Sequence, residues 1–232
     1  MLDPIRHKTT LINLLKDIYS DVKLRTILGF KGGTAAMMFY DLPRLSVDLD
    51  FDLLQEDKKE LVLERIKKII SPYGEIRDAA EKKFTLFFLL NYEKGKQAVK
   101  IEISKRRGTN VYEFKNYLGV SMLVIREEDA AAGKLAALIT RKNFAMRDVF
   151  DIWYFLKNEW PINEVVLKEK TGLSIKQALK KALKKVVKIE KNQVLRGLGE
   201  LLDNKQKAWA KENLIPDTIF HLKFYLENLE IK

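Results

Sequence analysis

Acidic and apolar residues alternate through Asp48-Leu49-Asp50-Phe51-Asp52-Leu53. Alternation at period two is a strand pattern, with Asp48, Asp50 and Asp52 on one face and Leu49, Phe51 and Leu53 on the other. Neighbouring carboxylates repel, and Asp is a poor strand former. A solvated sheet edge tolerates this arrangement. A divalent cation favours it, because carboxylate oxygens are hard ligands suited to Mg²⁺ or Mn²⁺. Upstream, Gly32-Gly33-Thr34 leads into the helix-like run Ala35 to Tyr40. A turn into a helix N-terminus presents backbone N–H groups and a dipole that can hold a phosphate. A phosphate cradle followed by a carboxylate pair is what metal-dependent phosphoryl or nucleotidyl transfer requires.

A third carboxylate is available. Val99, Ile101 and Ile103 alternate with Lys100, Glu102 and Ser104. If the apolar set faces a helix layer, Glu102 lies on the opposite face, where a neighbouring strand could present Asp48 and Asp50. The alternative is an exposed Glu102 balanced by Lys100. Lys105-Arg106-Arg107 follows as a basic cluster.

The elements that must position these residues are legible in part. His7 to Ser20 has a helical apolar face of Leu11, Leu14, Leu15 and Ile18. Val22 to Phe30 ends in a strand that delivers the Gly-Gly turn. Glu56 to Ile70 is amphipathic and is closed by Ser71-Pro72-Tyr73-Gly74. Lys83 to Tyr92 reads as a buried strand, Glu93-Lys94-Gly95-Lys96 as a hairpin turn, and Val120 to Ile125 as a short apolar segment. From Glu127 onward helical periodicity dominates. Acidic residues open the Ala-rich run Ala130 to Leu138, in which Lys134 must reach an anion or a cleft, or snorkel to solvent. Arg147-Asp148-Val149-Phe150-Asp151 opens the next helix, with Asp148 and Asp151 on one face and Arg147 placed to cap or pair with Asp148. Ser174 is an N-cap for Ile175 to Ile189, whose Lys180, Lys181, Lys184, Lys185 and Lys188 surround an apolar face. That row suits either a phosphate backbone or a solvated surface. Trp209 and Tyr225 read as packing residues.

Composition narrows the chemistry. The 232 residues are 47% hydrophobic and 32% charged, a globular balance with enough chain for a substantial core. There are no cysteines and two histidines, which excludes thiolate metal sites and disfavours a His-rich zinc site or a Ser-His-Asp triad. A net charge of +11 suits an anionic partner, nucleic acid above all, or a solvated Lys-rich surface. No apolar run is long enough for a membrane helix, and the opening MLDPIRHKTT lacks the apolar core of a secretion signal, so a cytoplasmic protein is expected.

Gly32-Gly33-Thr34 followed by Leu42-Pro43-Arg44-x-Ser46-x-Asp48-Leu49-Asp50-Phe51 resembles the first motif of the AbiEii/AbiGii-type toxins, which are nucleotidyltransferase-like proteins of the polymerase-β-type superfamily. Two later segments are similar as well: Ala132-Gly133-Lys134-Leu135-Ala136-Ala137-Leu138 with Arg141, then Arg147-Asp148-Val149-Phe150-Asp151. The resemblance runs from about Leu28 to Leu156. Arg147 stands where some members carry Lys, which keeps the charge but changes the donor geometry.

The resemblance implies an α+β fold: a nucleotidyltransferase-like mixed β-sheet with flanking helices (residues 1–126), then a helical domain (127–232) that completes the active cleft. It implies NMP transfer from an NTP to a hydroxyl acceptor, with RNA, specifically a tRNA 3′ end, as that acceptor. The chain would be the toxin of a toxin–antitoxin or phage-defence pair, with a cognate antitoxin as partner. Asp48 and Asp50, with Glu102 as the candidate third carboxylate, would hold Mg²⁺ or Mn²⁺. Gly32, Gly33, Thr34, Ser46 and Arg147 would bind nucleotide. Lys134 would contact its phosphates, Asp148 would be a catalytic or base-acting carboxylate, and Asp151 a support. Three other readings stand beside this one: a small-molecule nucleotidyltransferase, a catalytically silent nucleotide- or RNA-binding module, and a kinase-like phosphotransferase.

Overall fold

A computed structural model describes residues 3–93, 98–142 and 144–231. Part of the expected turn at Glu93-Lys94-Gly95-Lys96 lies outside the described residues. The chain divides into two compact units, Met1–Arg107 with Val111–Ile125, and Gly108–Asn110 with Arg126–Lys232.

The first unit opens with α1 (Pro4–Ser20). It begins ahead of the His7 start read from the sequence, because the Asp3 side chain accepts from the Ile5 and Arg6 amides and Pro4 needs no amide partner in the first turn. Then come β1 (Leu28–Lys31), α2 (Gly32–Phe39), β2 (Asp48–Leu53) and α3 (Lys59–Ile70). Five strands follow: β3 (Glu75–Glu81), β4 (Thr85–Asn91), β5 (Val99–Ser104), β6 (Tyr112–Tyr117) and β7 (Val120–Ile125). They form one seven-stranded mixed sheet in the order β3-β4-β5-β2-β1-β7-β6. The pairs β2/β5 and β1/β7 are parallel, and the remaining neighbours are antiparallel.

Register explains why the sheet has one dry face. Leu86, Ile103, Phe51, Phe30 and Val124 succeed one another across five strands, and each is fully buried. Burying a side chain of this size contributes about 1.5–3 kcal/mol. Tyr19 of α1 donates its hydroxyl to the carbonyls of Leu28 (2.9 Å) and Leu123 (3.0 Å), which ties the helix to β1 and β7. The opposite face carries the row Phe87, Glu102, Asp50, Lys31 and, beside it, the row Leu89, Lys100, Asp48.

The second unit is helical: α4 (Glu127–Thr140), α5 (Met146–Lys157), α6 (Glu164–Thr171), α7 (Ile175–Val186) and α8 (Asn204–Ile231). Asn163 caps α6 through the Val165 and Val166 amides, and Gly172 ends it in a left-handed turn. Ser174 and Gln177 form the reciprocal capping box that starts α7. Trp209 packs on Trp153 with ring centroids 4.4 Å apart, and Ala210, Leu214, Thr218 and Leu222 give α8 a buried stripe at four-residue spacing. One of the α7 lysines is not on the surface row. Lys185 Nζ donates to the carbonyls of Leu138 (3.1 Å) and Arg141 (3.4 Å), closing the C-terminal end of α4.

Candidate functional site

In the first unit the chemistry-bearing residues gather on the polar face of the sheet. Asp48, Asp50 and Asp52 project from β2, and β5 lies parallel to it with Asp48 opposite Lys100 and Asp50 opposite Glu102. Lys31 of β1 lies opposite Asp50. The face therefore holds four carboxylates and two ammonium groups in a chain whose net charge is +11. A local acidic patch in a basic protein is an electrostatic setting for a cation.

The glycine turn is pressed against this patch. Gly32 has φ +81°, and a Cβ there would stand 2.4 Å from Asp50 Oδ2 and 2.9 Å from Asp50 Cβ. At Gly33 a Cβ would stand 2.8 Å from Ser46 Oγ and 2.9 Å from Arg44 Nη2. Both glycines are thus required by close approach, and Gly32 also by its left-handed backbone. They open α2, whose N-terminus has no side-chain cap. Thr34 is fully buried, with its hydroxyl 2.9 Å from Ser46 Oγ and 2.5 Å from the Asp48 carbonyl oxygen. The first turn of α2, Ser46 and the start of β2 are therefore one hydrogen-bonded block.

Several members were not singled out by sequence reasoning. Asp52 is held by Lys31, 2.5 Å away, and by the Tyr112 hydroxyl, so the third aspartate of the run is a structural anchor. Arg44 is buried and donates to the Leu45 carbonyl at 2.9 Å. His7, also fully buried, donates Nε2–H to the Val47 carbonyl (3.0 Å) and accepts at Nδ1 from the Tyr92 hydroxyl (2.9 Å). Burial pushes its pKa below the ordinary value, against the opposing pull of the Val47 carbonyl and the Asp48 charge. Lys100 Nζ lies 3.2 Å from Asp48 Oδ2.

The donor chemistry of Asp48 and Asp50 fits Mg²⁺, which is bound through one or two carboxylates together with substrate phosphates. Glu102 shares their face beside Asp50. Among the described residues, no group of three or more His, Cys, Asp or Glu is placed to hold a metal ion, so the expected set of Asp48, Asp50 and Glu102 is not drawn together here.

The second unit holds the other predicted residues in its own cluster. Lys134 Nζ lies 2.7 Å from Asp151 Oδ2 and 3.2 Å from Asp148 Oδ1. Arg141 Nη1 lies 2.7 Å from Asp148 Oδ2. Asp148 and Asp151 share a face of α5, as their spacing requires, and both are buried. The expected pairing of Arg147 with Asp148 is replaced, because Lys134 and Arg141 occupy its two oxygens. Arg147 is half-buried and makes no hydrogen bond or ion pair among the described residues.

A family profile described as "Nucleotidyl transferase AbiEii toxin, Type IV TA system" matches residues 13–213. The crystal structure of JHP933 from Helicobacter pylori superposes with a TM-score of 0.63 at 20% identity, covering 98% of this chain and 93% of that one. A second H. pylori structure, provisionally assigned as a nucleotidyltransferase, gives a TM-score of 0.63 at 19% identity, covering 98% and 96%. At such identity the likeness is one of fold. A search of curated proteins finds no match.

Proposed function

The chain belongs to the AbiEii family of nucleotidyl transferase toxins, and from that premise we propose that it transfers a nucleoside monophosphate from an NTP to a hydroxyl of RNA. The tRNA 3′ end is the acceptor we take forward, with a cognate antitoxin protein as the partner that restrains the toxin. One observation carries the reading: Asp48 and Asp50 share a strand face, and the glycine turn opening α2 is in contact with Asp50. Phosphate-binding amides beside paired carboxylates are the parts that NTP chemistry needs.

Asp48 and Asp50 are the proposed metal ligands, with Glu102 beside them. A divalent cation bound there lowers the pKa of an attacking hydroxyl and neutralises charge on the pyrophosphate. Gly32, Gly33 and Thr34 offer backbone donors to the triphosphate, and the buried Thr34–Ser46–Asp48 bonds keep that turn fixed against β2. As the hydroxyl oxygen bonds to the α-phosphorus, the bond to the bridging oxygen breaks. Pyrophosphate leaves with the electron pair, and the proton passes to solvent. In the second unit, Lys134 and Arg147 are proposed nucleotide contacts. Asp148, whose two oxygens meet Lys134 and Arg141, is the proposed catalytic or base-acting carboxylate of that unit and also positions those two cations.

The test uses the whole chain, Mg²⁺, total tRNA and each NTP labelled at the α-phosphate, beside Asp48→Asn. Label on RNA with the unmodified protein alone supports the reading. Salt-sensitive RNA binding without label from either phosphate would replace it with a silent binding module, and label reaching RNA only in a parallel arm with γ-phosphate-labelled NTP would replace it with a kinase-like reaction.

A further inference from the structure

Lys100 sits on the polar face with a charge that opposes the proposed use of Asp48. Its Cα pairs with that of Asp48 across β2 and β5, and its Nζ lies 3.2 Å from Asp48 Oδ2. The next row differs: across β5 Asp50 faces a second carboxylate, Glu102, and Lys31, its register partner on β1, lies 2.5 Å from Asp52 Oδ1. Both partners keep access to water, with about a third of the Lys100 side chain and a fifth of that of Asp48 exposed. The ammonium group can therefore leave Asp48 without unfolding anything.

Two cations cannot share one carboxylate without repelling each other. A divalent cation that takes Asp48 Oδ2 displaces the Lys100 ammonium from that oxygen, and the displaced charge needs a new partner. A nucleoside triphosphate supplies that partner, because its β- and γ-phosphates are anionic and a lysine binds phosphate as a point charge. Building on the proposed function, we propose that Lys100 withholds Asp48 from a divalent cation until a nucleoside triphosphate arrives, and then turns to the triphosphate. The exchange couples nucleotide to metal: each favours the other through one movable ammonium. Lys100 is then a positioning residue before the nucleotide binds and a phosphate contact after it.

The test is Mn²⁺ titration, followed by electron paramagnetic resonance and without nucleotide, of the unmodified chain, Lys100→Met, Lys100→Arg and Asp48→Asn. Lys100→Met is expected to bind Mn²⁺ on the order of tenfold more tightly, as removal of one competing ion pair and one repulsion implies. Lys100→Arg, which keeps the charge, is expected to resemble the unmodified chain, and Asp48→Asn to lose the site. In the RNA-labelling assay, Lys100→Met is expected to raise the KM for NTP by a similar factor. Equal Mn²⁺ affinity in the unmodified chain and Lys100→Met overturns the inference, as does binding that survives Asp48→Asn. The two proposals fail separately. Tighter Mn²⁺ binding without any RNA labelling would sink nucleotidyl transfer and leave Lys100 as the gate. Labelling with unaltered Mn²⁺ affinity would do the reverse.

Discussion

Gly32→Ala isolates the contact on which the proposed site depends, and Gly119→Ala is its control. The two glycines have nearly the same backbone, φ +81° and φ +82°. Left-handed backbone costs an alanine about 1–2 kcal/mol at either position. At Gly119 nothing lies within 4 Å of the added Cβ, so that cost is the whole effect. At Gly32 the Cβ meets Asp50 Oδ2 at 2.4 Å and Asp50 Cβ at 2.9 Å, where ordinary contact begins near 3.4 Å. Rotating the carboxylate relieves the first overlap but not the second, so turn and strand must separate by a fraction of an ångström and the carboxylate by about 1 Å. Misplacement on that scale costs about 10²-fold in rate when the moved group positions a reaction. Urea denaturation should show comparable losses for the two variants, with Gly32→Ala somewhat the larger. The α-phosphate labelling assay should show near-normal transfer for Gly119→Ala and a drop of about 10²-fold for Gly32→Ala. Equal transfer by the two variants would refute the claim that the turn sets the position of Asp50.

Asp148→Ala removes the counter-charge of the exposed Arg141 and one of two partners of Lys134, which keeps Asp151, so urea denaturation should show a loss of about 1.5–3 kcal/mol. Arg147→Ala, which breaks no bond among the described residues, should stay within about 0.5 kcal/mol while lowering transfer. Because burial holds the His7 pKa below its ordinary value of 6.5, the unfolded chain takes up a proton first as the pH falls. Stability should then be fully present above about pH 6.5 and decline below it, and His7→Gln should flatten that decline in denaturation curves between pH 7 and 5. Lys180, Lys181, Lys184 and Lys188 are exposed, whereas Lys185 is turned inward. Reversing Lys180 and Lys184 to Glu should reduce the salt slope of RNA binding by about 0.7 for each phosphate that a lysine no longer neutralises, and an unchanged slope would mark the row as a solvated face.

Which features are legible in the sequence, and which are not, follows from which interactions are local. The parity of β2 and β5 is written in the alternation of apolar residues, so the shared face of Asp48, Asp50 and Glu102 is accessible from the sequence. The register between those strands is not local, and it alone decides that Asp48 meets Lys100 while Asp50 meets Glu102. Strands β3 and β6 escape a sequence reading because they are the two edges of the sheet. Glu75–Glu81 buries no residue fully and has no alternation to display. Lys185 shows the same limit on a helix. Its type and spacing match its neighbours, yet it caps α4 because Leu138 and Arg141 end their helix within its reach.

Asp148 extends this limit to the chemistry. A motif that places an aspartate after an arginine invites a pair between adjacent residues, but residues adjacent on a helix do not face each other. The partners come instead from α4 and its C-cap: Lys134 lies within the helix, and Arg141 follows directly after its last residue. Asp148 and Asp151, one turn apart, meet them from α5. The two segments that carry the family pattern in this unit are thus the two halves of one ion network, and the order imposed on Lys134 by two buried carboxylates is a reason for the sequence to retain both.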